Sequence, residues 1–292
     1  MTPTAAQERL LDQLVGRCDF PATPAQVTVA LSGGPDSAAL VALARHAGLL
    51  VTAVHVHHGL RSTADADAAA ANRIAAHLGA TFRLERADVA DGPDLEARAR
   101  AARRAILGPN AMTGHTLDDQ AETVLLAMLR GSGLTGIAGM RPGHVHPILA
   151  LRRTETHAVC EALGLDPIVD PTNASPRFRR NRVRREVLPL LDDVAQRDVA
   201  PLLDRLAAHA RADDDLLGSL AAEIDPTDVA ALRSAPAPLA RRALRTWLAI
   251  DGYPPDAAAI ERVMAVVRHD AEGCDVDRGR HVTRSGGRLR LT

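Results

Sequence analysis

Short apolar, β-branched runs alternate along the first half of this chain with longer stretches whose apolar residues recur every three to four positions. Leu10, Leu11, Leu14 and Val15 share one face of an opening amphipathic helix. Residues 27–31 (VTVAL) read as a buried strand, and a helix over about 37–47 follows at once. A second strand is predicted over 49–56, an Ala-rich helix over 65–78 and a short strand over 81–84. Next come a helix over 94–106, a short strand over 111–113 and a helix over 117–129 that stops at a glycine signal, Arg130-Gly131-Ser132-Gly133. This alternation predicts an α/β fold, a mostly parallel sheet with helices on both faces. Such sheets bind ligands at the carboxyl ends of their strands, and the unusual sequences stand there, after Leu31, Val56 and Thr113.

The character changes near residues 190–200. Leu/Ala runs over 201–220, 238–250 and 257–267 predict helices, and residues 280–291, with Ser285-Gly286-Gly287 in their middle, predict a hairpin. Two domains are expected, 1–195 and a smaller, mainly helical 196–292.

The strongest chemical signal is Ser32-Gly33-Gly34-Pro35-Asp36-Ser37 between the first strand and its helix. Two glycines let backbone approach an anion, Ser32 and Ser37 can donate to phosphate oxygens, and the helix N-terminus faces the charge. Asp36 would repel a bare phosphate, so its presence suggests a bridging Mg²⁺. The bland alternative, a glycine turn with Asp36 as N-cap, accounts for fewer of the six residues. Val56-His57-His58-Gly59-Leu60-Arg61 ends the second strand, where paired histidines could line a nucleotide pocket, bind a metal or cap the strand. Glu96, Arg100 and Arg103 share a helix face, which alone reads as a solvated ion-pair pattern. In Gly114-His115-Thr116-Leu117-Asp118-Asp119-Gln120-Ala121-Glu122-Thr123, four ionisable groups crowd a helix start, more than dipole capping requires.

Composition sharpens this. All 35 Lys+Arg residues are Arg, which excludes a Walker A lysine, a Schiff base and a Ser–Lys pair. Aromatic residues make up 2%, arguing against a stacking platform for nucleic acid. The net charge of −1 hides a local cluster, PRFRRNRVRR over 176–185. Cys18, Cys160 and Cys274 are too scattered for a zinc spacing or a disulfide framework, as expected of a cytoplasmic protein, and neither a signal peptide nor a membrane-spanning run is read.

The Ser32–Ser37 loop resembles the pyrophosphate loop (SGGxDS) of the N-type ATP pyrophosphatases. Adding HHGLR, the Glu96–Arg100 helix, GHxxDDQAET, RGSGxxG and Asp170-Pro171-Thr172-Asn173 with Arg180-Asn181-Arg182-Val183-Arg184, the pattern is similar to the tRNA(Ile)-lysidine synthetase family over roughly residues 24–190. Thr116 departs from it, standing where many relatives have a second His, and so does Arg104, where an aromatic residue is common. The resemblance implies an ATP-dependent carbon–nitrogen ligase acting on the wobble cytidine of a CAU-anticodon isoleucine tRNA with free L-lysine. It implies ATP binding by Ser32, Gly33, Gly34, Pro35, Asp36, Ser37 and His57, Mg²⁺ at Asp36 with Asp118 or Asp119, and α-phosphate stabilisation by Arg100. Asp119 and Glu122 would attract the lysine ammonium, His115 or a nearby acid would take its proton, and Asn173, Arg180, Asn181, Arg182 and Arg184 would hold tRNA phosphates. No membrane or obligate protein partner is expected. The rivals are a tRNA thiolation enzyme, an amidating synthetase, and a non-catalytic nucleotide- or RNA-binding module.

Overall fold

The computed structural model describes residues 4–57, 64–87, 95–168, 175–250, 255–277 and 279–292; the side chains of residues 95–97 and 100 also lie outside the description. The chain divides into two compact units, Met1–Ala208 and His209–Thr292.

In the first unit, α1 (Ala5–Val15) is capped by Thr4 and buries Leu11 and Leu14, the face its spacing predicts. Strands β1 (Gln26–Ala30), β2 (Leu50–His57) and β3 (Thr81–Arg86) pair in parallel in the order β1-β2-β3. They are linked by α2 (Pro35–His46) and α3 (Ala64–His77), the βαβ pattern read from the sequence. The third strand is longer than predicted, and the expected strand over 111–113 shrinks to a single parallel bridge, Met112 to Val29. That bridge lies on the side of β1 away from β2. Having run outward from β1, the sheet therefore resumes on the opposite flank, so the strand order reverses between β1 and Met112. Open α/β sheets bind their ligands at such a reversal.

Every residue of α2 from Ser37 to Ala44 is buried, which explains why its sequence carries Ala, Leu and Val on all faces. Val29, Leu31, Leu40, Leu43, Ile148 and Leu151 join it in one core, small alanines letting the elements approach closely. The unit continues with α4 (Leu95–Leu107), α5 (Leu117–Leu129), α6 (Leu134–Ile137) and α7 (Arg153–Ala162), which packs against α2. Then follow α8 (Arg179–Arg182), a π-helical turn (Val183–Val187) and α9 (Leu188–Ala195). The division between units falls inside α10 (Ala200–Ala222).

In the second unit, α11 (Val229–Ser234), α12 (Ala237–Trp247) and α13 (Ala257–Arg268) enclose Leu232, Leu244, Ile260, Val263 and Val267, with Trp247 partly buried beside them. The predicted hairpin is β5 (His281–Ser285) and β6 (Arg288–Leu291), turning through Gly286 and Gly287, both at positive φ (57° and 75°). A third antiparallel strand, β4 (Gly273–Asp275), was not predicted; at three residues it is too short to show a period. Among the described residues no helix is long and apolar enough to cross a membrane.

Candidate active site

Gly34 precedes α2 and Pro35 opens it, its fixed φ suited to a first helical turn. Within the loop, the Ser32 and Ser37 hydroxyls lie 3.0 Å apart and Ser37 Oγ donates to the Gly34 carbonyl at 2.9 Å. Gly33 holds φ at 90° and its carbonyl accepts from Ile168 N at 2.9 Å. A side chain at 33 would meet strain and, at 2.3 Å, Ile168 Cδ1.

The second glycine turn comes to the same place. A Cβ on Gly114 would stand 2.8 Å from the carbonyl carbon and oxygen of Asp36 and 2.9 Å from Ser37 N. Backbone contact between the loops after β1 and after Met112 is thus possible only with glycine here. It brings α5, with its acids, against the phosphate-type loop. Thr116 precedes α5, and its N–H and hydroxyl both donate to Asp119 Oδ2 at 3.0 Å. Thr116 therefore serves as a helix start.

Asp36, Asp119 and Glu122 converge around Arg153, at the start of α7. Arg153 lies 3.6 Å from Asp36, 3.1 Å from Asp119 and 3.3 Å from Glu122. Arg180 and Arg184, four residues apart and so on one face, reach the same acids: each Nε lies 2.6 Å from a Glu122 oxygen. Arg180 Nη2 also lies 3.2 Å from Asp119. Three carboxylates face three guanidiniums, so the cluster has no net charge. Thr156 donates to Asp36. Burial above all raises the Asp36 pKa, with Asp119 adding and Thr156 and Arg153 opposing. Burial also opposes ionisation of Asp119, but Arg153 and Arg180 hold its pKa below the ordinary value. Asp118 turns elsewhere: Arg152 Nη2 and Arg153 N donate to it at 2.9 and 2.7 Å.

His115 stands behind this cluster. Thr113 Oγ1 lies 2.8 Å from His115 Nδ1, 2.7 Å from His146 Nδ1 and 3.0 Å from the Val145 carbonyl. A hydroxyl has one hydrogen and two lone pairs. Donating to Val145, it accepts from both rings, which leaves both Nε2 atoms as acceptors. Burial, first, and nearby cationic side chains push His115 down to about 4, with Asp119 opposing. The folded state therefore stays neutral at this ring while the unfolded chain takes up a proton through the ordinary 6.5. Stability should fall as pH drops from about 6.5 towards 4, and His115→Asn should flatten that slope. Urea unfolding at both ends of the window would show it, and an unchanged slope would refute it.

The remaining expected residues divide. His57 ends β2 and lies 3.1 Å from Asp65 of α3. Arg100 is on α4, but its side chain lies outside the described residues, as do His58, Arg61 and Asn173 entirely. The arginine run does not form one surface: Arg177, Arg179, Arg182 and Arg185 are exposed, whereas Arg180 and Arg184 turn inward to the acids. Asn181 is buried and donates to the Ser175 carbonyl at 2.9 Å. Arg153, Thr156 and His146 belong to the site although the motifs do not mark them.

A PP-loop domain family matches residues 3–191, and the TilS substrate binding domain family matches residues 228–290. The tRNA(Ile)-lysidine synthase of Nocardia farcinica is 45% identical over 249 residues, covering 80% of this chain and 78% of that protein. The chain belongs to the tRNA(Ile)-lysidine synthase family. The Mycobacterium tuberculosis H37Rv member is 42% identical over 245 residues, covering 77% of this chain and 75% of its own length. The resemblance read from the motifs is borne out. Among solved structures, the U34-tRNA thiolase NcsA from Methanococcus maripaludis, with its [4Fe-4S] cluster, aligns with a TM-score of 0.53 at 19% identity. That alignment covers 70% of this chain and 77% of the thiolase, a likeness of fold.

Proposed function

We propose that this chain is an ATP-dependent ligase that joins free L-lysine to C2 of the wobble cytidine of a CAU-anticodon isoleucine tRNA. The observation that carries the reaction type is the contact of Gly114 with the Asp36 backbone, which sets a phosphate-type loop against three converging carboxylates. The choice of lysine and tRNA follows from the named relatives.

In the first step the cytosine O2 attacks the α-phosphorus of ATP, the α–β bond breaks and pyrophosphate leaves. The Ser32 and Ser37 hydroxyls and the positive end of α2 would hold the departing phosphates. Asp36 and Asp119 are the residues that would hold Mg²⁺. Among the described residues no group of three metal-binding side chains stands alone as a cage. Two carboxylates beside a phosphate loop suit Mg²⁺, which takes its other ligands from phosphate and water. Bound there, it would neutralise charge developing on the phosphates. Asp118, committed to Arg152 and the Arg153 backbone, instead fixes the start of α7.

In the second step a lysine amine attacks C2, AMP leaves, and the amine proton passes to a base. A nearby acid or His115 would take it, and burial, which pushes His115 down to about 4, makes its ring a weak base. Asp119 and Glu122 attract an ammonium only once an arginine has turned from them to a phosphate, because the resting cluster is already neutral. Arg177, Arg179, Arg182 and Arg185 are the exposed members of the run and would meet a polyanion, Arg182 by leaving Glu186, 2.7 Å away.

Labelled lysine should enter an isoleucine CAU transcript in the presence of ATP and not a methionine CAU transcript. Asp36→Asn should abolish both pyrophosphate release and incorporation; retained adenylation would overturn the metal assignment. Pyrophosphate release without incorporation would overturn the lysine assignment and favour sulfur delivery. The cysteines weigh against that rival. Burial pushes the Cys18 thiol up to about 12 and Cys160 to about 11, so neither supplies a thiolate readily.

A further inference from the structure

In the second unit, two guanidiniums converge on one imidazole with no carboxylate between them. Arg233 lies in the last turn of α11, His269 ends α13 in a left-handed conformation (φ 71°), and Arg284 stands near the end of β5. Arg284 sits across from Leu289 and two residues from Val282, both core residues, so its stem runs along the apolar face of the hairpin. Its Nε is buried and has no hydrogen-bond partner. Its Nη1 lies 3.4 Å from both ring nitrogens of His269, a position against the ring rather than on one lone pair. Arg233 Nη1 approaches His269 Nε2 at 3.5 Å.

The neighbouring acids are engaged elsewhere. Asp270 pairs with Arg268 at 3.0 Å and Asp225 with Arg288 at 2.5 Å, while Asp228 caps α11. Glu272 meets Arg284 through its backbone carbonyl, 3.3 Å from Arg284 N. Among the described residues no carboxylate forms an ion pair with Arg233 or Arg284. Guanidinium charge drawn together without a counter-charge is unfavourable, the more so where one head is partly buried. The arrangement is relieved by an anion that accepts from both arginines and lets His269 take up a proton. Loss of hydration and the two arginines already hold His269 below its ordinary pKa, with Asp270 opposing.

We propose that Arg233, His269 and Arg284 form a phosphate-binding site that takes a backbone phosphodiester of the RNA substrate. The RNA identity of the ligand rests on the function proposed above. A phosphodiester offers two oxygens to planar, multi-donor guanidiniums and carries no sequence information, so the site would position the RNA rather than read it.

The test is equilibrium binding of the full chain to an isoleucine CAU transcript over a range of salt concentrations. Arg233→Gln, which changes an exposed side chain, and Arg284→Gln should each weaken binding roughly tenfold and lower the salt slope by about one. Thermal unfolding of each variant separates loss of binding from loss of fold. If Arg233→Gln keeps its melting temperature, its affinity and its salt slope, the proposal is overturned. Inorganic phosphate, titrated while the His269 ring is followed by NMR, separates the sources. A ring that responds to phosphate while the RNA slope stays unchanged in Arg233→Gln marks a free-anion site and overturns the RNA assignment. Binding needs no lysine, so a chain that fails to incorporate lysine yet shows these losses would sink the ligase reading and leave the phosphate site standing.

Discussion

Replacing Glu122 by Gln is expected to destabilise the first unit by about 3–5 kcal/mol, the cost typical of removing one partner from a buried ion-pair network. The Glu122 side chain is fully buried and its two oxygens engage Arg180, Arg184 and Arg153. Gln keeps the shape and one acceptor oxygen but removes the charge. Three guanidiniums would then face only Asp119 and Asp36, leaving one positive charge unmatched beside a fully buried carboxamide. A drop of that size corresponds to a melting temperature lower by about 10 °C for a unit of this length. Urea unfolding measures it directly. A change below about 1 kcal/mol would show that the arginines relax outward at little cost, as exposed pairs do.

Gly114→Ala should lower both stability and activity, and activity the more. The added methyl would lie 2.8 Å from the Asp36 carbonyl carbon and oxygen and 2.9 Å from Ser37 N. These are backbone atoms, so the clash cannot be relieved by turning a side chain. Either α5 retreats with Asp119 and Glu122, or the Ser32–Ser37 loop shifts at its phosphate-facing turn. Misplacement by about 1 Å costs on the order of 100-fold in rate when reacting groups must be aligned. tRNA-dependent pyrophosphate release should fall by roughly that factor. A rate within about threefold of the parent would mean that the two loops need no such registry.

The two glycine turns were legible because backbone proximity to a phosphate restricts side chains so severely that the residues themselves declare it. The parallel sheet was equally open to reading, since its strands are short β-branched runs separated by longer, Ala-rich helical stretches. Arg153 was not. The apolar pattern between residues 134 and 175 predicts no element, and α7 lies within it. One signal was available: Arg152 and Arg153 stand where a helix begins, the end at which cations are disfavoured. Two arginines there imply acids elsewhere to hold them, and Asp118, Asp119 and Glu122 are those acids. The arginine run misleads for a related reason. Composition counts charges without direction, so PRFRRNRVRR reads as one surface. A short helix and the π-helical turn after it split the run between the interior and solvent. No local preference in the sequence marks where that extra-wide turn falls.

The scarcity of aromatic residues has a spectroscopic consequence. The chain has one tryptophan, Trp247, and it lies against the core of the second unit. Fluorescence excited at the red edge of the protein absorption band therefore originates from that unit alone, while the unit carrying the PP-loop is dark. The emission colour follows the hydration of a single indole. The natural chain thus carries an unlabelled optical reporter for its substrate-binding-type domain, against which far-ultraviolet dichroism, dominated by the helices of the larger unit, can be compared.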